Sequence, residues 1–140
     1  MVINRKILIL LLLLFNITNG QIPTKVVITY LGLNDESPFN MTCDNIEVSK
    51  YSSCSQIIID NKRDLIKFQK ILNKIRYTST DYEPDVRIKI EAYYKKHKTT
   101  ICLGAGNSLI NGHPVEYSEG LVLYIESMKS KYKSRTGAEK

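Results

Sequence analysis

The sequence predicts an α+β domain: an antiparallel sheet of four to five strands with two amphipathic helices, 62–76 and 118–129, packed on one face. Three patterns predict it. Residues 86–93 alternate, with Val86, Ile88, Ile90 and Ala92 on one side and Arg87, Lys89, Glu91 and Tyr93 on the other. That period of two belongs to a strand with one face buried. Leu65, Phe68, Leu72 and Ile75, with Ile71 beside them, recur at steps of three and four. That is a core-facing helical stripe, and Lys67, Lys70 and Lys74 occupy its solvated side. A second helical stripe, Leu121, Val122, Ile125 and Met128, follows Ser118. Two such helices supply what a one-sided sheet needs to cover its apolar face.

The elements follow in order. Residues 25–33, KVVITYLGL, are rich in β-branched side chains and too short for a buried helix, so they read as a strand. NDESPFNMT, with Pro38, reads as a loop, and CSQIIID, 54–60, as a second strand. Asp60 or Asn61 stands where the first helix needs an acceptor for its unpaired N–H groups. TSTDYEPD breaks the pattern before the alternating strand. KKHK then forms a hairpin tip, with His97 exposed, and TTICLG returns as the next strand. Asn111-Gly112 is a dipeptide that accepts positive φ in tight hairpins. Ser118 caps the last helix and Glu119 suits its first turn.

The start of the chain carries an address. Arg5 and Lys6 precede an unbroken apolar run from Ile7 to Phe15, and Thr18 and Gly20 precede Gln21. Basic, apolar, then small is the layout of a cleaved secretory signal. A spanning helix needs about 20 apolar residues, more than this run supplies. The sequence therefore predicts a signal peptide at 1–20, one domain at 21–128 and a basic, flexible tail at 129–140. No transmembrane anchor is expected after cleavage.

Removing residues 1–20 takes two of the 20 basic residues and none of the 14 acidic ones, leaving 18 against 14, or +4. Five of those 18, Lys129, Lys131, Lys133, Arg135 and Lys140, lie in the tail. The domain itself is charge-balanced, which argues against a nucleic-acid-binding face.

Cys43, Cys54 and Cys102 remain, in a chain addressed to a compartment where disulfides persist. Their number is odd, so at least one stands outside any intrachain bridge. Cys43 with Cys54 would close a short loop; Cys102, in an apolar strand, can pair with either or stay buried. The pairing is left open. Their spacing matches no zinc pattern, and no metal or cofactor is expected.

Gly104-Ala105-Gly106-Asn107 ends an apolar run, as phosphate-binding loops do. Such loops work by leading straight into a helix N-terminus. Here another turn and a short strand follow, so the expectation is a bend where only small residues fit. Asp81, Glu83 and Asp85 alternate, without the glycine turn and further oxygens of a calcium loop. Asn40-Met41-Thr42 fits a glycosylation acceptor that matters only in a eukaryotic secretory pathway. Tyr77, Tyr82, Tyr93, Tyr94 and Tyr117 either form an exposed aromatic surface or pack on one another along strand faces; the second is expected.

NGQ at the cleavage point, ESPFNMTC, DVRIKIEAYYKKHKTTICLG and LINGHPVEYSEGLVLYI together resemble small exported proteins of Bacteroidetes-type bacteria. The resemblance implies a periplasmic, cell-surface or secreted address and carries over no catalytic residue. Two functions follow as expectations. The first is a non-catalytic binding or structural module of the envelope, its partner an unidentified protein or envelope component. The alternative is a small secreted hydrolase using His113 with Cys102 or a serine, which requires a base within reach of the nucleophile.

Overall fold

A computed structural model describes residues 21–31, 40–46, 54–80 and 84–136. The predicted signal, 1–20, lies outside them. The fold is α+β; the described residues form six strands in one antiparallel sheet and two helices. In chain order these are β1 (Lys25–Leu31), β2 (Cys54–Ile59), α1 (Lys62–Leu72), β3 (Val86–Tyr93), β4 (Lys98–Gly104), β5 (Ser108–Ile110), β6 (His113–Val115) and α2 (Glu119–Thr136). In space the strands run β2-β1-β3-β4-β5-β6. The sheet is wider than the expected four to five strands because β5 and β6 have three residues each, too few to show alternation. Their hairpin is set by Asn111 (φ 49°) and Gly112 (φ 79°), the two positive φ angles that a tight turn between twisted strands demands.

Both helices cover one face of the sheet. Val26 and Ile28 of β1, Ile57 and Ile59 of β2, Ile90 and Ala92 of β3, and Ile101 and Leu103 of β4 pack there against Leu65, Phe68, Leu121, Tyr124, Ile125 and Met128. Phe68 and Tyr124 meet with ring centroids 5.9 Å apart, an aromatic pair worth about 0.5–1.5 kcal/mol beyond its area. The opposite, outer face carries a smaller cluster in which Leu31, Val86 and Cys102 pack with Met41 and Ile46 from the 40–46 segment. β1 is thus buried on both sides. Thr29 is only 1% exposed and accepts a hydrogen bond from Gln56 Nε2 at 3.2 Å.

Four sequence expectations change. Val86 does not share a face with Ile88, because the β3–β4 register shifts between them. That bulge turns Val86 to the outer cluster. Asn61 caps α1, its Oδ1 accepting from Arg63 N and Asp64 N, but the helix ends at Leu72 rather than 76. Lys74 N bonds to Ile71 O and Ile75 N to Leu72 O, a tightened last turn. The chain is then drawn along β6: Glu116 N bonds to Arg76 O, Thr78 N to Pro114 O, and Tyr77 bridges Val115. Pairing with a strand and continuing a helix exclude each other. In the second stripe, Val122 is half-buried and Tyr124 takes its inward place.

The fourth change concerns the tail. Residues 129–136 are not a loose end but the last turns of α2. Lys131 Nζ lies 2.5 Å from Asp64 Oδ2 on α1, and Tyr132 packs against the core. The domain therefore extends past 128. Among the described residues no helix is long and apolar enough to cross a membrane.

Candidate functional site

Strand register settles the cysteine question. Cys43 and Cys102, 59 positions apart in the chain, form a disulfide with Cα atoms 5.8 Å apart. Cys54 lies at the start of β2, three strand spacings from β4. At about 4.8 Å per spacing its Cα stands about 14 Å or more from that of Cys102, beyond the reach of a bridge, about 7 Å. Cys54 stays a thiol whose Sγ donates to Ile46 O at 2.8 Å. The disulfide ties the 40–46 segment to the outer face of the sheet. Met41 is held beside it by Val86 N to Met41 O at 2.7 Å and by Met41 N to Asp85 Oδ1 at 2.8 Å. A disulfide of this kind belongs to an oxidising compartment.

An outer cleft of about 570 Å³ opens next to this bridge, between Thr42, Asp44, Pro84, Thr100, Leu109 and Pro114. The charged side chains further along the same face are engaged with one another. Arg87 pairs with Asp85 at 2.6 Å and Lys98 with Glu91 at 2.6 Å. Lys25 and Lys98 stand 4.6 and 5.8 Å from the ring centre of Tyr93. Burial alone would raise the Glu91 carboxyl, but the Lys98 hydrogen bond and the Lys89 charge outweigh it and hold it below its usual value. Of the acidic trio, Asp85 is committed to Met41 and Arg87; Asp81 and Glu83 lie outside the described residues, as does Tyr82.

The residues of the hydrolase alternative are not brought together. Cys102 pairs across the sheet with Leu109, which pairs with Pro114, whereas His113 pairs with Ile110, which pairs with Ile101. Successive residues of a strand point to opposite faces. Cys102 therefore faces outward, in a disulfide, and His113 faces the helix side, where it meets Tyr77 edge-on at 6.4 Å. Ser108 shares His113's face but sits a two-residue step from its row, roughly 7 Å. Its Oγ is buried with no hydrogen-bond partner among the described residues.

The Gly104–Asn107 stretch is a bend between β4 and β5, closed by Gly104 N to Asn107 O at 2.9 Å. Gly104 is needed because a Cβ there would come within 2.7 Å of Asp85 O and 2.8 Å of Pro84 Cβ. Asn40, of the acceptor tripeptide, is exposed.

The most organised polar surface is one that no sequence motif announced. A groove of about 430 Å³ lies between the C-terminal end of α1, the β3–β4 hairpin and β5. Gln69, Leu72 and Asn73 line it from the helix, and Tyr94, His97 and Thr99 from the hairpin. Tyr77, Asn111 and, from the start of the described chain, Gln21 also line it. Its polar groups are wired in sequence. Tyr94 Oη donates to Gln69 Oε1 at 2.6 Å, and Gln69 Nε2 donates to Asn73 Oδ1 at 2.7 Å. Burial pushes the Tyr94 hydroxyl above its usual pKa, so it stays a donor. The His97 ring lies flat on Tyr94, with centroids 4.4 Å apart and planes 10° apart. Tyr77 is 66% exposed and Tyr117 53%, so the aromatic surface that was the less expected reading is present in part. The signal in the sequence was the i, i+4 pair Gln69 and Asn73, in the last turn of the helix and at its C-cap, outside its apolar stripe.

No family model, no curated protein and no solved structure matches the chain.

Proposed function

We propose that the chain is an exported, non-catalytic binding module of the bacterial envelope, engaging a protein or envelope component through the groove between α1 and the β3–β4 hairpin. The observation that carries this reading is the Tyr94–Gln69–Asn73 relay. A surface whose donors and acceptors are already oriented loses little freedom on binding, so its contacts convert efficiently into affinity. The Cys43–Cys102 disulfide supports the address, because it suits an oxidising compartment and occupies the thiol that a hydrolase would need as nucleophile.

The test starts from the full chain expressed with its own N-terminus in a bacterial host. Recovery of a product beginning near Gln21 outside the cytoplasm supports export. That product is then co-sedimented with isolated envelopes. Retention that falls when Tyr77 is changed to Arg, but not when Leu109 in the outer cleft is changed to Arg, supports the groove as the binding surface. Turnover of ester, amide or glycoside substrates that Cys54→Ser leaves intact and His113→Ala abolishes would favour the hydrolase.

A further inference from the structure

We infer that the groove binds a short stretch of neutral saccharide. This inference deepens the binding-module reading and rests on it. Three features of the lining carry it.

The first is what the groove presents for apolar contact. Tyr77 and Tyr94 bring rings, and the His97 ring, also in the lining, stacks on Tyr94 and holds it in place. Leu72 lies beside them. A pyranose ring has an apolar face of C–H groups, and a fixed aromatic plane is the surface on which such a face loses its water most favourably.

The second is the polar set. Gln69, Asn73 and Asn111 bring primary amides and Thr99 a hydroxyl. Each amide offers donors and an acceptor side by side, which matches a sugar hydroxyl, itself donor and acceptor at once. The relay fixes their direction. Because Asn73 Oδ1 already accepts from Gln69, its Nδ2 hydrogens are left to donate outward. The amide of Asn111 is oriented too, since its Oδ1 accepts from Thr100 N at 2.8 Å.

The third is charge. Among the described residues the lining includes no Asp, Glu, Lys or Arg, although such residues make up 24% of the chain. A phosphorylated or uronic-acid ligand would need cationic side chains, which the described lining does not bring; Gln21 also lines the groove, and its α-amino group, freed by cleavage, is what the oligogalacturonate control tests. The volume lies in the range of small-ligand clefts, about 300–1,000 Å³, with room for a sugar unit or two.

The probes are cellotriose, chitotriose and maltotriose, with oligogalacturonate as the anionic control and a neutral aromatic-free peptide as the protein-like control. Binding at millimolar concentration is read by tyrosine fluorescence, clean here because the chain has no tryptophan, and by saturation-transfer NMR. At least one neutral trisaccharide should bind and both controls should not. Tyr77→Ala should weaken binding about tenfold, the scale of one lost ring contact, while Tyr77→Phe keeps it. Asn73→Asp should also weaken it, because the acceptor to Gln69 survives and the outward donors do not. Tyr77 is exposed, so the melting temperature of each variant checks that it folds. The inference is overturned if no trisaccharide binds folded protein, if the peptide binds instead, or if Tyr77→Ala and Asn73→Asp leave binding unchanged. Envelope retention that persists without saccharide binding would sink this inference and leave the binding module standing; loss of both would sink both.

Discussion

The hydroxyl of Tyr124 donates to the main-chain carbonyl of Asp64, 3.1 Å away and 60 residues back in the chain. The same residue's carboxylate receives Lys131. One turn near the start of α1 is therefore held at two points by α2, and burial beside Asp64 pushes the Tyr124 hydroxyl well above its usual pKa. Tyr124→Phe should cost about 1 kcal/mol, the usual net value of such a bond. Deleting 130–140 removes the Lys131 pair and the packing of Tyr132, and should cost about 1–3 kcal/mol. That corresponds to a fall of several degrees in melting temperature, measured by calorimetry on both variants. A truncated protein that melts with the intact one would return these residues to the status of a tail.

The Cys43–Cys102 bridge closes a long loop. Chain entropy assigns about 4 kcal/mol to a loop of this size. Paired Cys43→Ser and Cys102→Ser changes should reduce stability by about 2–4 kcal/mol, read from urea unfolding. Cys54→Ser should change it far less, because a hydroxyl can still donate to Ile46 O. Peptide mapping without reductant should recover 43 linked to 102 and alkylation confined to 54. Any peptide joining 54 to 102 would contradict the strand order.

Gly104 marks the tightest approach in the β4–β5 bend. Gly104→Ala should destabilise by about 1–3 kcal/mol, the cost of overpacking, because the opposing atoms include the main-chain carbonyl of Asp85 rather than a mobile tip. Gly112→Ala should also destabilise, for a different reason: its φ of 79° strains any side chain although nothing lies within 4 Å. A Pro84→Gly change, which removes the opposing Cβ, should partly rescue Gly104→Ala and leave Gly112→Ala unaffected, measured as a double-mutant cycle.

Glu91 gives a pH signature. Its carboxyl is held below the usual 4.5, so the folded state binds the proton less readily than the unfolded one. The stabilisation is present above pH 4.5 and lost as pH falls through the folded-state value. Its size should stay under about 1 kcal/mol, because Lys98 is half in solvent and the pair is screened. Glu91→Gln should melt below the native protein at pH 7 and together with it near pH 3. A gap that stays constant with pH would place the difference in packing rather than charge.

Local pattern by itself determined the α+β class, four of the six strand positions near their true limits, the helix starts at Asp60 or Asn61 and at Ser118, and the Asn111-Gly112 turn. These are legible because a period of two or 3.6, a cap or a positive-φ dipeptide acts over a few residues. The halt of α1 at Leu72 was not legible, since residues 76–78 are drawn off by β6, a strand more than 30 residues later. Nor was the bulge that turns Val86 outward, which depends on the register of β4. The continuation of α2 to Thr136 depends on Asp64 being there to meet Lys131. The disulfide and the groove belong wholly to the tertiary structure. Three cysteines allow three pairings on paper; strand order holds Cys54 away from Cys102, and the bonds of Met41 to Asp85 and Val86 bring the segment that carries Cys43 beside it. Gln69, Asn73, Tyr94 and Asn111 are ordinary surface residues in one dimension. They become a single wall because a helix end and two hairpins converge there, and long-range convergence is what no window of sequence contains.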